Sequence, residues 1–320
     1  MSAKRVLITG GAGFVGSHLV EAILENDPSA TIVIADNFFL GHERNLRSLA
    51  TNKRCFIERV DISSQSALFS IISKYEINFV WNLAVVPLPT SLLYPEWTIQ
   101  NNIKCALSVC EAARFFTGLK VINISSSETY GTAKSVPMKE SHPLAPETPY
   151  AASKAASDLI FDSYSSTFGL KFLTLRPFNM FGPRQNRGSY AGVVPIFIDK
   201  ILNREEVLIY GDGNQTRDFI FVKDSVLAML KAENAWDGEE SLTLNIATGR
   251  ETSVNQLLAM VSNCLNLEPT KVKHMMARDG DVMRHCGDSS LYVNFTGASI
   301  PSISIEALIQ TIDWYKANVD

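Results

Sequence analysis

No apolar run in the 320-residue chain approaches the roughly 20 residues that a membrane span needs. Met1-Ser2-Ala3-Lys4-Arg5 leads directly into a short strand pattern instead of a signal-peptide core, so a cytoplasmic location with no membrane partner is expected. The five cysteines, Cys55, Cys105, Cys110, Cys264 and Cys286, form no CxxC pair and no metal-ligand spacing, which argues against disulfides, structural zinc or any other metal centre. An excess of one charge is also missing. Lys and Arg number 29 against 33 Asp and Glu, for a formal net charge of -4. With Lys and Arg dispersed and no block of like charge, the electrostatic footprint of a nucleic-acid binder is lacking, and a small-molecule partner is expected. There is no internal repeat and no low-complexity tract, which excludes a solenoid.

What the chain does have is alternation. Apolar, β-rich runs at Arg5–Thr9, Thr31–Ala35, Cys55–Val60, Asn78–Leu83, Lys120–Ile124 and Phe172–Arg176 are separated by segments of helical period such as Val15–Leu24, Ser66–Lys74 and Ile103–Phe115. Strands alternating with helices predict a parallel sheet, and strands that are continuously apolar predict one covered on both faces. The fold class is therefore α/β, doubly wound. Thr148-Pro149 supplies a cap followed by proline at the first helical position, opening a helix that runs to about Phe168 before Gly169. Past Pro177 the pattern loosens into loop signals, shorter helices and shorter strands. This divides the chain into a first domain over 1–178, to which later segments return, and a smaller α/β substrate domain over 179–320, the two flanking a cleft.

The first strand runs straight into Gly10-Gly11-Ala12-Gly13-Phe14-Val15-Gly16 and then a helix. In that strand-turn-helix setting the glycines make the tight turn, and Gly10, Gly13, Phe14, Val15 and Gly16 present backbone N–H groups to a pyrophosphate at the helix N-terminus. This is the signature of a Rossmann dinucleotide site. Asp36, about 20 residues past the glycines at the end of the second strand, suits the adenosine ribose hydroxyls and repels a 2'-phosphate, which favours NAD over NADP. Asn37 follows it in the same loop. Asp61-Ile62 reads as an adenine contact, with an N-terminal helix cap as the alternative use of Asp61. Leu83 and Ala84, at the end of the fourth strand, complete the expected cofactor wall.

Tyr150 and Lys154 lie four residues apart, so both project from one face of the helix opened by Pro149. A phenol ordinarily ionises near pH ~10, and a neighbouring ammonium favours the phenolate, making the pair a plausible base. Lys154 would also bind the nicotinamide ribose. The strand Lys120–Ile124 ends in Ser125-Ser126-Ser127-Glu128-Thr129-Tyr130-Gly131, placing hydroxyls at a C-terminal strand end, where doubly wound sheets bind ligands.

Taken together, the glycine loop, Asp36, the Ser-Ser-Ser-Glu-Thr-Tyr-Gly segment, Tyr150-Ala151-Ala152-Ser153-Lys154 and Arg176-Pro177-Phe178-Asn179 resemble, in order and spacing, the extended short-chain dehydrogenase/reductase family of NAD-dependent nucleotide-sugar epimerases, dehydratases and decarboxylases. The resemblance implies Tyr150 as the base for the sugar 4-hydroxyl and Ser126 as its hydrogen-bonding partner. It implies Asn179 near the substrate phosphates, Val193 and Val194 in a nucleotide-base loop, and Arg217 and Arg278 as a diphosphate clamp. It also implies a UDP-sugar substrate and a homodimer. His285 falls where epimerases of this family carry a residue facing the sugar. Beside it, Arg284 suggests a partner for a C6 carboxylate of an acidic sugar, or else a solvent-facing or diphosphate-binding side chain.

Three reactions share the 4-keto intermediate. Dehydratases of the family place Asp-Glu, and decarboxylases Ser-Glu, where this chain has Ser127-Glu128. Glu128 is then either a second acid/base or a residue that holds the strand end. The loop motifs around Arg184–Pro195, Gln215–Asp218 and Arg278–Val282 resemble those of UDP-hexose 4-epimerases, whereas Asp36–Gly41 and Val86–Pro89 lean toward uronate decarboxylases. C4 epimerisation ranks first, with decarboxylation and 4,6-dehydration as alternatives. Sugar reduction and a non-catalytic NAD-binding role rank below these.

Overall fold

The computed structural model describes residues 4–188, 191–277 and 282–318. In the first half, strands β1 (Arg5–Thr9), β2 (Thr31–Asp36), β3 (Cys55–Arg59), β4 (Phe79–Asn82), β5 (Lys120–Ile124) and β6 (Phe172–Pro177) alternate with helices α1 (Phe14–Asn26), α2 (Gln65–Tyr75), α3 (Leu88–Leu93), α4 (Pro95–Phe115) and α5 (Pro149–Phe168). There follow β7 (Asn179–Phe181), α6 (Val193–Leu202), β8 (Val207–Tyr210), β9 (Thr216–Arg217), β10 (Phe219–Phe221), α7 (Val222–Ala235) and β11 (Leu242–Ile246). The chain closes with β12 (Thr252–Ser253), α8 (Val254–Leu265), β13 (Val272–Met275), β14 (Arg284–His285), α9 (Ser290–Thr296) and α10 (Ile305–Ala317).

Seven strands form one parallel sheet in the order β11-β6-β5-β4-β1-β2-β3. The order reverses between β1 and β4, and in open α/β sheets a ligand crevice opens at such a switch point. Successive residues within a strand point to opposite faces, and both sets are buried. Val6, Ile8, Ile32, Ile34, Trp81, Ile122, Leu173 and Leu175 pack into one cluster with residues of α1, α7 and α9. Leu7, Val33, Val80, Val121 and Phe172 pack into another with residues of α2, α4 and α5. This two-sided burial is why those strands read as unbroken apolar runs. The edge strand β3 differs: Phe56 and Ile57 are 41% and 48% exposed, since only β2 flanks it.

Helix α5 forms as its sequence dictates. The Thr148 hydroxyl accepts from the Ala151 amide at 3.1 Å, Pro149 occupies the first turn, and Gly169 ends the helix at φ +69°. A third apolar cluster joins α6, α8 and α10 to β8 and β10, with Phe14 and Val15 of α1 packed against it. It sets the later segments over the C-terminal ends of the sheet strands.

One contact between the halves carries a titratable group. His18, buried in α1, donates from Nε2 to the Pro183 carbonyl at 3.0 Å. Burial holds its pKa down to about 4. A His whose folded pKa lies below its unfolded value contributes stability above the unfolded pKa near ~6.5, and loses it as pH falls from there toward 4. The thermal midpoint should therefore drop over that window, and the drop should be smaller in His18→Gln, as followed by circular dichroism from pH 7 to pH 4.

Candidate active site

The turn after β1 is shaped by what it cannot accommodate. Gly10 sits at φ +69°, and a Cβ at Gly16 would fall 2.3 Å from the Gly10 carbonyl oxygen. The loop therefore closes onto the first turn of α1, where Gly13 at the cap offers no side-chain acceptor to the helix amides. These amides face a cleft of about 350 Å³ lined by Gly10, Gly13, Phe14, Val15 and Gly16. Asp36, Asn37, Asp61, Ile62, Leu83 and Ala84, all singled out from the sequence, line the same cleft, as do Ser126, Tyr150 and Lys154.

Asp36 is buried and already used twice: its Oδ2 accepts from the Ala12 amide at 2.9 Å and its Oδ1 from the Phe38 amide at 2.8 Å. The carboxylate thus ties the loop following β2 to the glycine turn at the cleft wall. Asn37 Oδ1 closes the next turn by accepting from the Phe39 amide at 3.0 Å. Asp61 lines the cleft while its Oδ1 accepts from Ser63 N at 2.9 Å; the cap position of α2 belongs to Ser64.

At the other end of the cleft, β5 delivers Ser126 and α5 delivers Tyr150. Ser126 Oγ accepts from the Glu128 amide at 3.2 Å, which opens the single turn Ser127–Tyr130 and fixes the hydroxyl. Burial pushes the Tyr150 phenol up to about 12, a hydrogen bond with Ser126 pulls it back, and the carboxylates of Glu128 and Asp158 oppose its ionisation. Lys154 is the only cation among the described residues lining the cleft. Its ammonium donates to the Ile124 carbonyl at 2.7 Å, and burial lowers its pKa. The carbonyl at the end of β5 thus anchors the Lys154 ammonium, and Ser126 bonds the Tyr150 phenol.

The outlying candidates separate. Ser127 is buried, and its carbonyl lies 3.3 Å from His285 Nε2; since a carbonyl only accepts, that nitrogen carries the proton. The His285 ring packs against Phe178, a cleft residue, with centroids 5.0 Å apart and planes tilted by 41°, and burial together with the Arg217 charge lowers its pKa to about 4. Asn179 donates its backbone N–H to Asp218 O at 3.0 Å, while its side-chain oxygen is buried without a hydrogen-bond partner among the described residues. Arg217 donates to the Val282 carbonyl at 2.6 Å. Arg278 lies outside the described residues.

The Val194 side chain is 1% exposed in the core, whereas Val193 is half-buried at the start of α6. One assignment needs correction. Arg284 turns away from the cleft: its side chain is 60% exposed, and its guanidinium fork engages Glu251, with Nε 3.0 Å from Oε1. A fork already held by a carboxylate at the surface has no geometry left for a C6 carboxylate in the cleft.

Sequence reasoning had missed several lining residues, among them Phe39, Val85, Asn101, Cys105, Met180, Gln185 and Asn186. Asn101 and Cys105 are spaced four apart on α4 and so share a face, a signal that was available. Phe39, Gln185 and Asn186 sit in loops, where no periodicity marks them.

The sequence model of the NAD-dependent epimerase/dehydratase family matches residues 6–247. The chain belongs to that family. NAD is therefore its cofactor, and the glycine turn and capless helix start fit a dinucleotide pyrophosphate on their own geometry. The UDP-N-acetylglucosamine 4-epimerase of Methanobrevibacter ruminantium, solved in complex with UDP-N-acetylmuramic acid, is similar at 34% identity and TM-score 0.90 over all of both chains. The UDP-glucose 4-epimerase of Thermotoga maritima, solved with UDP-glucose, is similar at 30% identity and TM-score 0.90 over 99% of this chain and 100% of that one. A dTDP-glucose 4,6-dehydratase of Actinoplanes is 28% identical over 98% of each chain. The chain is an NAD-dependent enzyme of nucleotide sugars, with both isomerases and lyases among its relatives. No described helix is long and apolar enough to cross a membrane.

Gly16→Ala should cost the protein its cofactor while leaving the sheet intact. Nucleotide released on denaturing the purified variant, quantified by chromatography, should fall to a small fraction of the wild-type amount; full NAD occupancy would show that the turn does not hold the pyrophosphate.

Proposed function

We propose that the protein is a UDP-hexose C4-epimerase working through a transient 4-keto sugar. The observation that carries the reading is the pairing of Ser126 and Tyr150 at the sugar end of the cleft, with Ser127 standing where dehydration calls for an acid. A buried serine hydroxyl does not protonate a leaving hydroxyl at neutral pH as a carboxylic acid would. The similarity to UDP-sugar 4-epimerases over the full chain supports the same reading. The orphaned Asn179 oxygen and the buried neutral His285 suit an uncharged sugar better than the earlier reading of Arg284 suits an acidic one.

In this reading Tyr150 takes the proton of the sugar 4-hydroxyl, and Ser126 holds that oxygen in line. NAD, when bound, supplies a reversible hydride acceptor for C4. In the same reading Lys154, which is anchored on the Ile124 carbonyl, would hold the nicotinamide ribose. Because the hydride and proton return to the same sugar, no external reductant is consumed. An apolar outer face on α3, α4 and α5, with Leu92, Leu93, Trp97, Phe115 and Leu159 exposed, supports a homodimer, since exposed apolar surface of this kind marks association sites.

Tyr150→Phe should retain bound NAD and lower kcat by a factor on the order of 10² to 10⁴, the usual worth of a general base; turnover within a few-fold of wild type would remove Tyr150 from the role. Proton NMR of the enzyme with UDP-glucose, UDP-N-acetylglucosamine and UDP-glucuronate in turn should show only C4-inverted hexoses. A UDP-pentose or a 4-keto-6-deoxy sugar would replace the epimerase reading with decarboxylation or dehydration.

A further inference from the structure

Asp158 is 2% exposed on α5, four residues after Lys154 and eight after Tyr150, and so on the same helix face. Its Oδ2 accepts from Ser125 Oγ at 2.8 Å and from Arg176 Nε at 2.9 Å, and its Oδ1 lies 3.5 Å from Asn123 Nδ2. Ser125 immediately precedes Ser126. Arg176 lies near the end of β6, next to Pro177 and Phe178 of the cleft wall, and its Nη1 donates to the Tyr130 hydroxyl at 3.1 Å, at the end of the turn that Ser126 caps. One carboxylate therefore joins the three segments that carry the reacting groups and the wall beside them.

We propose that Asp158, through its pair with Arg176, is a positioning residue that sets the rotation of α5 and so aligns Tyr150 with Ser126. Stability alone does not account for a buried ion pair at this point: replacing such a pair by apolar side chains of similar volume is often neutral or stabilising, because desolvation offsets the attraction. The packing of α5 against α4 and the sheet sets its distance; Ser153 Oγ accepts from Asn102 Nδ2 at 2.9 Å and the Tyr164 hydroxyl donates to Glu111 at 2.6 Å, which hold the α4 side of the helix, while on the sheet side the Lys154 bond to the Ile124 carbonyl and the bonds to Asp158 are directional. A rotation of ~20° about the axis moves a phenol oxygen roughly 9 Å from that axis by about 3 Å. Misplacements of about 1 Å cost on the order of 10²-fold in rate. The hydrogen bonds to Asp158 from Ser125 after β5 and Arg176 of β6 fix the sheet side of the helix beside the reacting groups.

The charge has a separate consequence. Asp158 faces Arg176 of β6, Lys154 and Asp162 of its own helix, and the Tyr130 hydroxyl side of the turn 127–130; Glu128 faces Tyr150, and Cys105 of α4 faces Lys154. The Asp158 carboxylate disfavours the phenolate of Tyr150 and favours the ammonium of Lys154. Removing the charge makes both groups more acidic.

The test is Asp158→Asn in the NAD-loaded enzyme, alongside the apolar double variant Asp158→Leu/Arg176→Met. The idea rests on Tyr150 as the base and not on which sugar is turned over; its failure is distinguishable, because loss of the base reading appears as unaffected turnover in Tyr150→Phe. For Asp158→Asn, kcat should fall on the order of 10²-fold, KM should move little, and the acid limb of the kcat–pH profile should shift to lower pH. The double variant should keep its bound NAD and a thermal midpoint close to wild type while losing comparable turnover. Near-wild-type kcat in either folded variant, an unmoved acid limb in Asp158→Asn, or a rate loss that merely follows loss of NAD or of folded protein overturns the proposal.

Discussion

A hydrogen-bonded line of polar side chains crosses the sheet at the C-terminal ends of its strands, and the site is built on it. The Thr9 hydroxyl donates to Asn82 Oδ1 at 3.2 Å, and Asn82 Nδ2 donates to Asn123 Oδ1 at 3.0 Å. Asn123 approaches Asp158, Asp158 binds Arg176, and Arg176 reaches the Tyr130 hydroxyl, which donates to Asn245 Oδ1 at 2.7 Å. Residues of β1, β4, β5, β6 and β11 are thereby linked in one buried network. In a low-dielectric interior such a network is costly unless every member is satisfied, and once satisfied it specifies a single arrangement.

The cleft grows from both ends of this line. At the β1 end, Thr9 Oγ1 also accepts from the amides of Leu83 and Ala84 at 3.0 and 3.1 Å, so the cleft wall after β4 is held by the residue that starts the glycine turn. At the β5 and β6 end, Asp158 and Ser125 stand directly behind Lys154 and Ser126. A distance between the two ends of the cleft is thus transmitted by rigid strands and short hydrogen bonds, not by loops. The third apolar cluster, built from residues of β7, β8, β10, α6, α8 and α10, packs against Phe14 and Val15 at the first turn of α1.

Much of this was legible along the chain because it depends on local spacing. The seven-residue glycine turn, Asp36 at a strand end, the Thr148-Pro149 helix start and the four-residue interval from Tyr150 to Lys154 each follow from backbone geometry within a few residues. Strands β1, β2, β4, β5 and β6 were legible for the same reason, since burial on both faces imposes an apolar run whatever the neighbours are, whereas β3 read as apolar although its Phe56 and Ile57 are exposed at the sheet edge. Asp158 was within reach of the same reasoning: its spacing from Lys154 puts it on the face that carries Tyr150 and Lys154, and an acidic residue on a buried face calls for a partner. That partner, Arg176, stands next to the Pro177-Phe178 motif but eighteen positions away, with no periodicity connecting the two.

The amino-acid sequence by itself determined the dinucleotide turn, the doubly wound alternation and the pair of groups at the head of α5, because each is set by dihedral preference, helical period or the burial of an apolar run. Only the tertiary structure decided what those groups face. It gave the Lys154 ammonium to the Ile124 carbonyl, buried the Val194 side chain in the core, and sent Arg284 outward to Glu251 instead of into the cleft. The physical reason is the same in each case. Spacing places a side chain on a face, but the partner that captures a charge or an apolar surface arrives from another strand or helix, and its distance is set by packing across the whole molecule.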